Sequence, residues 1–294
     1  MVWRNSLTVI FLWLFLCVKN SVLAEDKVVL TNKISPELQT ALGKNNAPYI
    51  NRIKSVHHLG NDLNPDEKKA VYEFLEQKPE VNVMPILESD GIKNELVIVL
   101  MKQNEYPAEL TGKLIKMYRH PALGQVWQDY CVQFLGQWGG YAQNPGELAE
   151  IIKTLQEALQ DKNGGIAGTA LIALNSLAGK PGVSTADIKE AAWALANNEH
   201  IPENSRIPAL QIAAVMGDQR IADTARKIIA GKSPVMLKMS AMAALGMIGG
   251  SDDLALLQGY ERSSDIRLRG AAVAAVRALK NRGVACHIND RFGR

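Results

Sequence analysis

The apolar residues between positions 233 and 283 recur with the period of an amphipathic helix, and they do so twice. The segment Leu237–Gly249 (LKMSAMAALGMIG) aligns with Leu268–Lys280 (LRGAAVAAVRALK), 31 positions later. Each copy begins with Leu-Lys or Leu-Arg and continues with closely spaced alanines. Self-similarity at a fixed spacing of roughly 20–50 residues is typical of stacked repeat proteins, in which each unit contacts only its neighbours.

Two weaker copies of the pattern precede these segments. The segment 205–217 aligns with 237–249 at an offset of 32, and the segment 166–174 lies a further 39 positions upstream. Shorter amphipathic stretches separate the copies, so the pattern predicts helix–turn–helix units of about 31–40 residues. At one aligned position all four copies have alanine, namely Ala170, Ala209, Ala241 and Ala272. These four alanines are predicted to lie at close helix–helix contacts.

The motif Leu/Val-Arg/Lys-x-x-Ala-x-x-Ala-Leu-Gly-x-Ile-Gly resembles the bacterial HEAT-like repeat, which also occurs in phycobilisome lyases. Leu237–Gly249 matches it best, whereas Leu268–Lys280 carries Arg277 where the repeat has glycine. The similarity is good over 233–283 and degenerate over 147–231. It implies an all-α fold, a right-handed α-solenoid of stacked helix–turn–helix (HEAT-like) repeats over 147–283, and a tendency to bind macromolecules. It implies no reaction, because one fold serves many unrelated tasks.

Helix-start signals predict a less regular helical layer over 35–146. Ser35-Pro36 and Asn64-Pro65 each combine a capping side chain with proline at the first helical position. Pro85 argues against a strand and favours a connector over 80–91. Further helices are predicted over 92–103, 108–118 and 123–138.

Two sets of residues concern packing. Five apolar residues at helical spacing form a stripe, and they are Trp127, Cys131, Phe134, Leu135 and Trp138. The stripe predicts a buried seam of the core, with a partner surface as the alternative. The glycines within 136–140 and 246–250 are expected to end helices in the left-handed conformation.

Residues 1–24 have the features of a signal peptide. Arg4 precedes an apolar run from Leu7 to Val18, and Val22-Leu23-Ala24 is a small-residue cleavage site. The run is shorter than the about 20 residues that span a bilayer. Cleavage after Ala24 predicts a periplasmic or secreted protein, with an uncleaved anchor as the alternative. The polar segment 25–34 is predicted to be disordered.

Loss of the signal peptide changes the charge and the cysteine count. Removing Arg4 and Lys19 takes the 33 Lys and Arg residues to 31 against 30 Asp and Glu, so the net charge falls from +3 to +1. A nearly neutral chain lacks the excess of basic residues that attracts nucleic acid. No second membrane span is predicted. A buried free thiol is expected for Cys131, with a disulfide to Cys286 as the alternative.

Residue patterns that carry catalysis are scarce. His57 and His58 are the only adjacent histidines, and neighbouring helical residues point about 100° apart, which disfavours a shared metal. The chain has no His-Glu pair, phosphate-binding glycine loop or nucleophile elbow. We therefore predict no catalytic, cofactor-binding or metal-ligating residue, and no cofactor.

The function predicted is that of a non-catalytic, exported interaction scaffold. A protein is the expected partner and a glycan is a second possible class. The alternative, which the family resemblance suggests, is a lyase-like or cofactor-chaperone enzyme subunit. Arg226, Arg262 and Arg267 are predicted to edge the binding surface, because guanidinium groups pair with carboxylates in a fixed fork geometry. The segment 284–294 is predicted to be a polar tail without helical period.

Overall fold

The computed structural model of the 294-residue chain describes residues 34–78, 85–161 and 164–292, with side chains described as far as residue 282. In this part of the chain the protein is all-α, with fourteen α-helices and no β-strand. The predicted signal peptide and residues 25–33 lie outside the described residues.

The first six helices come from the region predicted to be a less regular layer. They are α1 (Pro36–Ala41), α2 (Tyr49–His57), α3 (Pro65–Glu76), α4 (Ile86–Met101), α5 (Leu110–Tyr118) and α6 (Gln125–Gly139), with a 3-10 turn over Pro121–Leu123.

The other eight helices come from the region of the repeats. They are α7 (Pro145–Ala158), α8 (Ala167–Ser176), α9 (Thr185–Asn197), α10 (Glu203–Val215), α11 (Ile221–Ala230), α12 (Val235–Ile248), α13 (Asp253–Tyr260) and α14 (Ile266–Phe292).

The side-chain caps predicted for the early helices are present. The hydroxyl oxygen of Ser35 accepts from the Leu38 N–H at 3.4 Å, and Asn64 Oδ1 accepts from the Glu67 N–H at 3.0 Å. Glu67 completes a capping box by accepting from the Asn64 N–H at 3.1 Å, and it also accepts from the Ser35 N–H at 3.0 Å. The same carboxylate therefore ties the start of α3 to the start of α1.

Two of the predicted boundaries are wrong. Helix α4 begins at Ile86, inside the segment predicted as a connector, because Pro85 occupies the N-cap, where its missing N–H is not needed. Helix α14 continues to Phe292, so residues 284–292 are helical despite their aperiodic polar sequence. Extending an existing helix is far less costly than starting one, since each added residue gains a hydrogen bond.

The helices form two rows in which each helix contacts its near neighbours. From α2 to α14, each even-numbered helix packs on the next even-numbered helix. The odd-numbered helices pack against the even-numbered helices beside them, and α5 packs on α7 and α9 on α11. One apolar core runs between the rows, from Leu38 in α1 to Leu279 in α14.

The repeat register predicted from the sequence matches the even-numbered row. Ala170, Ala209, Ala241 and Ala272 lie in α8, α10, α12 and α14, and all four are fully buried. The aromatic stripe of α6 also lies in this core, as predicted, with Trp127 and Cys131 fully enclosed. The thiol of Cys131 is free, and the side chain of Cys286 lies outside the described residues.

Glycines inside the helices allow neighbours in the even-numbered row to approach closely. A Cβ atom on Gly136 of α6 would lie 2.4 Å from Cβ of Ala173 in α8, and one on Gly246 of α12 would lie 3.1 Å from Cα of Ala275 in α14. None of the glycines within 136–140 and 246–250 has a positive φ. The prediction that these glycines lie at helix ends is confirmed for Gly140 and Gly249, which are C-cap residues. The predicted left-handed conformation is wrong, and Gly136 and Gly246 lie inside helices and act in packing.

Candidate interaction surface

One side of α8, α10 and α12 faces solvent and is apolar. Residues two and six positions after each repeat alanine, and five positions before it, point away from it, because successive helical residues are about 100° apart. Four large side chains on this side are Ile172, Val215, Met236 and Met247, with exposed fractions of 51, 73, 52 and 41 %. We call this surface the apolar face, and its exposed residues are Ile172, Ser176, Asn204, Gln211, Val215, Met236 and Met247.

The three helices that form the apolar face carry almost no charge. Helix α8 has no charged residue, α10 has Glu203 and Arg206, and α12 has only Lys238. Arg206 is buried and its Nε donates to the carbonyl oxygen of Ala196 at 3.1 Å, whereas Lys238 Nζ lies 5.7 Å from the centre of the Tyr260 ring in α13. A solvated surface normally mixes charges of both signs, whereas the centres of protein interfaces are poor in charge and rich in methionine.

The charges of the repeat region lie instead on the odd-numbered helices, on α14 and in the turns between rows. Arg220 Nε donates to Asp218 Oδ1 at 2.9 Å, and its Nη2 donates to Glu190 Oε1 at 2.7 Å. The same guanidinium lies 4.9 Å from the centre of the Trp193 ring. The hydrogen bonds from Arg220 lower the pKa of Asp218, a buried carboxyl. These contacts fix α9 to the start of α11.

Arg226, one of the arginines predicted to bind a partner, is paired with two carboxylates of the same chain. Its Nε lies 2.6 Å from Asp253 Oδ1, its Nη2 lies 3.0 Å from Asp253 Oδ2, and its Nη1 lies 2.6 Å from Asp223 Oδ1. Asp253 is 2 % exposed and also accepts from the Gly250 N–H at 2.8 Å. Arg226 lowers the pKa of Asp253 and joins α11 to the start of α13.

The other two predicted arginines lie at the end of the repeat region. Arg262 is exposed in the turn between α13 and α14. Arg267, in the first turn of α14, donates from Nη2 to Asp265 Oδ2 at 2.8 Å, and this hydrogen bond lowers the pKa of Asp265 to about 2. The structure therefore distributes the three arginines over three elements and pairs two of them with carboxylates of the same chain.

A cleft near the start of the chain is a second feature, which the sequence did not indicate. It encloses about 580 Å³ and is lined by residues of α3, of the turn before α5 and of α5, including Tyr72 and Tyr106. Glu76 on its wall accepts from Lys113 at 2.9 Å and from Lys116 at 2.7 Å, which lowers its pKa. Because its lysines and glutamates pair with one another, the cleft presents little net charge to a ligand.

A buried polar group lies between α3, α4 and α6. Lys93 is 1 % exposed, its Nζ donates to the carbonyl oxygen of Gln77 at 2.6 Å, and it lies 5.2 Å from the centre of the Trp127 ring. Burial lowers the pKa of Lys93 to about 8, and the same burial raises the pKa of the Cys131 thiol. Asp90 Oδ1 and Trp127 Nε1 are enclosed beside it without a hydrogen-bond partner among the described residues. The contact to Gln77 pins α4 to the end of α3.

The histidines of the described region act locally. His57 Nε2 lies 3.2 Å from Glu95 Oε2 of α4, and His120 Nδ1 accepts from the Ala122 N–H at 3.2 Å at the start of the 3-10 turn. In the described segments, no three His, Cys, Asp or Glu side chains come together as metal ligands. Among the described helices, none has the length and apolar character needed to cross a membrane.

No family model matches the chain, and no curated protein is similar to it. The surface that stands out is therefore defined by this structure alone. The lack of charge in α8, α10 and α12 is visible in the sequence, but the sequence pattern predicted only that the repeat alanines lie at helix–helix contacts. Assigning residues to a solvent-facing side required knowing which neighbours cover the other sides.

Proposed function

We propose that the protein is a non-catalytic, exported scaffold of HEAT-like repeats that binds another protein through the apolar face. The observation that carries the proposal is a solvent-facing side of three neighbouring helices that bears large apolar side chains and no charge. Exposed apolar patches of this kind mark interaction sites in soluble proteins. The predicted signal peptide supports a periplasmic or extracellular location.

The contact pattern supports an α-solenoid for the repeat region, and the right-handed form is proposed from the resemblance to HEAT-like repeats. Each helix of the even-numbered row contacts the one before and the one after, as expected for stacked helix–turn–helix units. Stacking places equivalent residues of successive units side by side. The residues six positions after the repeat alanines are Ser176, Val215 and Met247, so we propose that Val215 and Met247 lie side by side on one extended surface.

The chemistry of the apolar face favours a polypeptide partner. Methionine side chains are flexible and polarizable and adapt to different apolar partners. Among the exposed residues of this face, Ser176, Asn204 and Gln211 are the polar ones and none is charged, so it offers a glycan few hydrogen-bonding groups. The partner that fits is a protein segment with an uncharged apolar surface, such as one side of a helix.

The test compares two double variants of the mature chain, residues 25–294, against a partner captured with the wild-type protein and then purified. Val215→Asp/Met247→Asp places two carboxylates on the apolar face. Burying an unpaired charge is costly, so we expect the affinity to fall by about tenfold or more per site. Ala194→Asp/Ala255→Asp makes the same change of charge at exposed alanines of α9 and α13 and should leave the affinity within about twofold.

Either of two results would contradict the proposal. In one, the control variant weakens binding as much as the variant of the apolar face. In the other, both variants bind like the wild-type protein while remaining folded by circular dichroism. Sedimentation of the wild-type chain alone tests whether the occupant is a second copy. A dimer that the Val215→Asp/Met247→Asp variant dissociates would replace the proposed partner with self-association.

A further inference from the structure

Helix α14 leaves exposed a side that the preceding helices of its row keep covered. The residue directly after the repeat alanine is Leu171 in α8, Leu210 in α10 and Met242 in α12, and all three are fully buried. The equivalent residue of α14 is Val273, which is 40 % exposed. In the earlier helices this side receives the next helix of the row, so α14 presents an open packing surface.

The open side of α14 combines apolar, small and basic residues. Residues spaced by three, four or seven positions lie on one side of a helix, and these six extend over about 21 Å. We call them the end face, and they are Ile266, Arg269, Gly270, Val273, Arg277 and Lys280. All six are exposed, Ile266 to 70 %.

The glycine of the end face stands where an earlier helix makes a close contact. Gly168 of α8 holds the same register position as Gly270, and a Cβ atom on Gly168 would lie 2.6 Å from Cα of Ser205 in α10. The Gly168 N–H also donates to the Ser205 hydroxyl at 3.0 Å. Apart from the backbone of α14 itself, no atom of the described residues lies within 4 Å of the position of a Cβ on Gly270. The backbone of α14 is therefore open to the same close approach by a helix.

The charge of the end face defines which helix would fit. Between residues 266 and 282, α14 carries five basic residues and no acidic one. Arg277 and Lys280 form no hydrogen bond or ion pair with the described residues, and Arg269 donates to the carbonyl oxygen of Ser263 at 3.2 Å. An acidic partner would supply the missing carboxylates, which guanidinium groups bind in pairs of hydrogen bonds.

We propose that the end face binds an amphipathic helix of another protein, with small or apolar residues over Gly270 and Val273 and carboxylates beside Arg269 and Arg277. This site is separate from the apolar face and does not depend on its role. Terminal repeats need a polar outer side for solubility, and the arginines alone would serve that purpose. A solubilising cap does not call for Ile266 and Val273 between the charges, whereas a helix-binding surface does.

The test uses two fluorescent 18-residue peptides of equal composition and charge. In one, leucine and alanine form an apolar stripe flanked by glutamates at helical spacing, and in the other the same residues are scrambled. Fluorescence anisotropy should show that the mature chain binds the amphipathic peptide at least tenfold more tightly than the scrambled one. Equal binding of the two peptides, or no binding of either, would show that the end face is only a charged cap.

Two pairs of variants locate the binding. Arg269→Glu/Arg277→Glu should weaken binding of the amphipathic peptide at least tenfold, whereas Lys153→Glu/Lys227→Glu, at exposed lysines of α7 and α11, should change it less than twofold. Gly270→Leu should weaken binding at least tenfold without lowering the melting temperature. Its control is Gly259→Leu in α13, where an added Cβ atom also meets no atom of the described residues within 4 Å.

Some results would assign the end face to a different occupant and overturn the proposal. One is preferential binding of the chain to phosphatidylglycerol vesicles that the arginine variant abolishes. Another is a dimer in sedimentation that Gly270→Leu dissociates. Unchanged peptide binding by Gly270→Leu would also contradict close packing of a helix on α14.

Discussion

Replacing Arg226, which forms an ion pair with Asp253, should lower the stability of the protein by a measurable amount. The Arg226→Met variant keeps most of the aliphatic bulk but removes all three hydrogen bonds of the guanidinium. The carboxylate of Asp253, 2 % exposed, would then retain only the Gly250 N–H. Breaking a fully buried pair in this way costs about 3–5 kcal/mol. Because the Arg226 side chain is 42 % exposed and its charge is screened by water, we expect a loss of about 1.5–3 kcal/mol.

Urea unfolding followed by circular dichroism at pH 7 measures this loss. Arg277→Met is the matched control, because Arg277 is exposed and unpaired among the described residues, and it should change the free energy of unfolding by less than about 0.5 kcal/mol. Adding Asp253→Asn to Arg226→Met removes the orphaned charge and should restore part of the loss. Equal stability of Arg226→Met and Arg277→Met would refute the reasoning.

The same pair sets a dependence on pH. Arg226 lowers the pKa of Asp253 in the folded chain, so the folded state binds fewer protons than the unfolded state as the pH falls below about 4. The stability contributed by the ionised pair is present above that value and is lost as the pH falls through the lowered pKa. The difference between wild type and Arg226→Met should therefore shrink in acid.

Three further predictions concern other parts of the chain. Burial lowers the pKa of Lys93 to about 8, so between about pH 8 and 10.5 only the unfolded state binds the proton. The wild-type protein should therefore gain about 2–3 kcal/mol of stability relative to Lys93→Met as the pH rises through this range. Parallel pH profiles of the two proteins would contradict this. Gly246→Leu should lower the free energy of unfolding in urea by about 1–3 kcal/mol, because the new side chain overpacks against Ala275 in α14. The control Gly259→Leu should be neutral or stabilising. Equal effects of the two variants would mean that α12 and α14 are not in close contact. Mass spectrometry of exported protein should find Glu25 at the N-terminus, and recovery of the full-length chain in the membrane would favour the anchor.

Local signals in the sequence predicted much of the fold. The caps at Ser35 and Asn64 depend on residues three positions away, so the pattern of side chains contained the information. The four repeat alanines were also predictable, because a small residue repeated in one register has few positions to occupy other than a close contact. By contrast, Pro85 was interpreted only as an argument against a strand, which favoured a connector over 80–91, although a proline at the N-cap also precedes helices.

Contacts between distant residues were beyond sequence reasoning. Arg226 and Asp253 are 27 positions apart, and the helical pattern alone showed only a charged side with both signs present. Gly136 and Gly246 were assigned to helix ends, because their tight packing depends on the neighbouring helix and not on the local sequence. The apolar face and the end face were missed for the same reason, since exposure is decided by which helices cover each side.

The most direct test of the central claim is site-specific photo-crosslinking in the living host. A photoreactive phenylalanine analogue is placed at Val215 or Met247 of the apolar face, or at Ala194 or Ala255 of the odd-numbered row, in the full-length chain with its N-terminal segment. The account predicts one discrete protein adduct at Val215 and Met247 and none at the two alanines. Adducts of equal yield at all four positions, or only at Ala194 and Ala255, would contradict it.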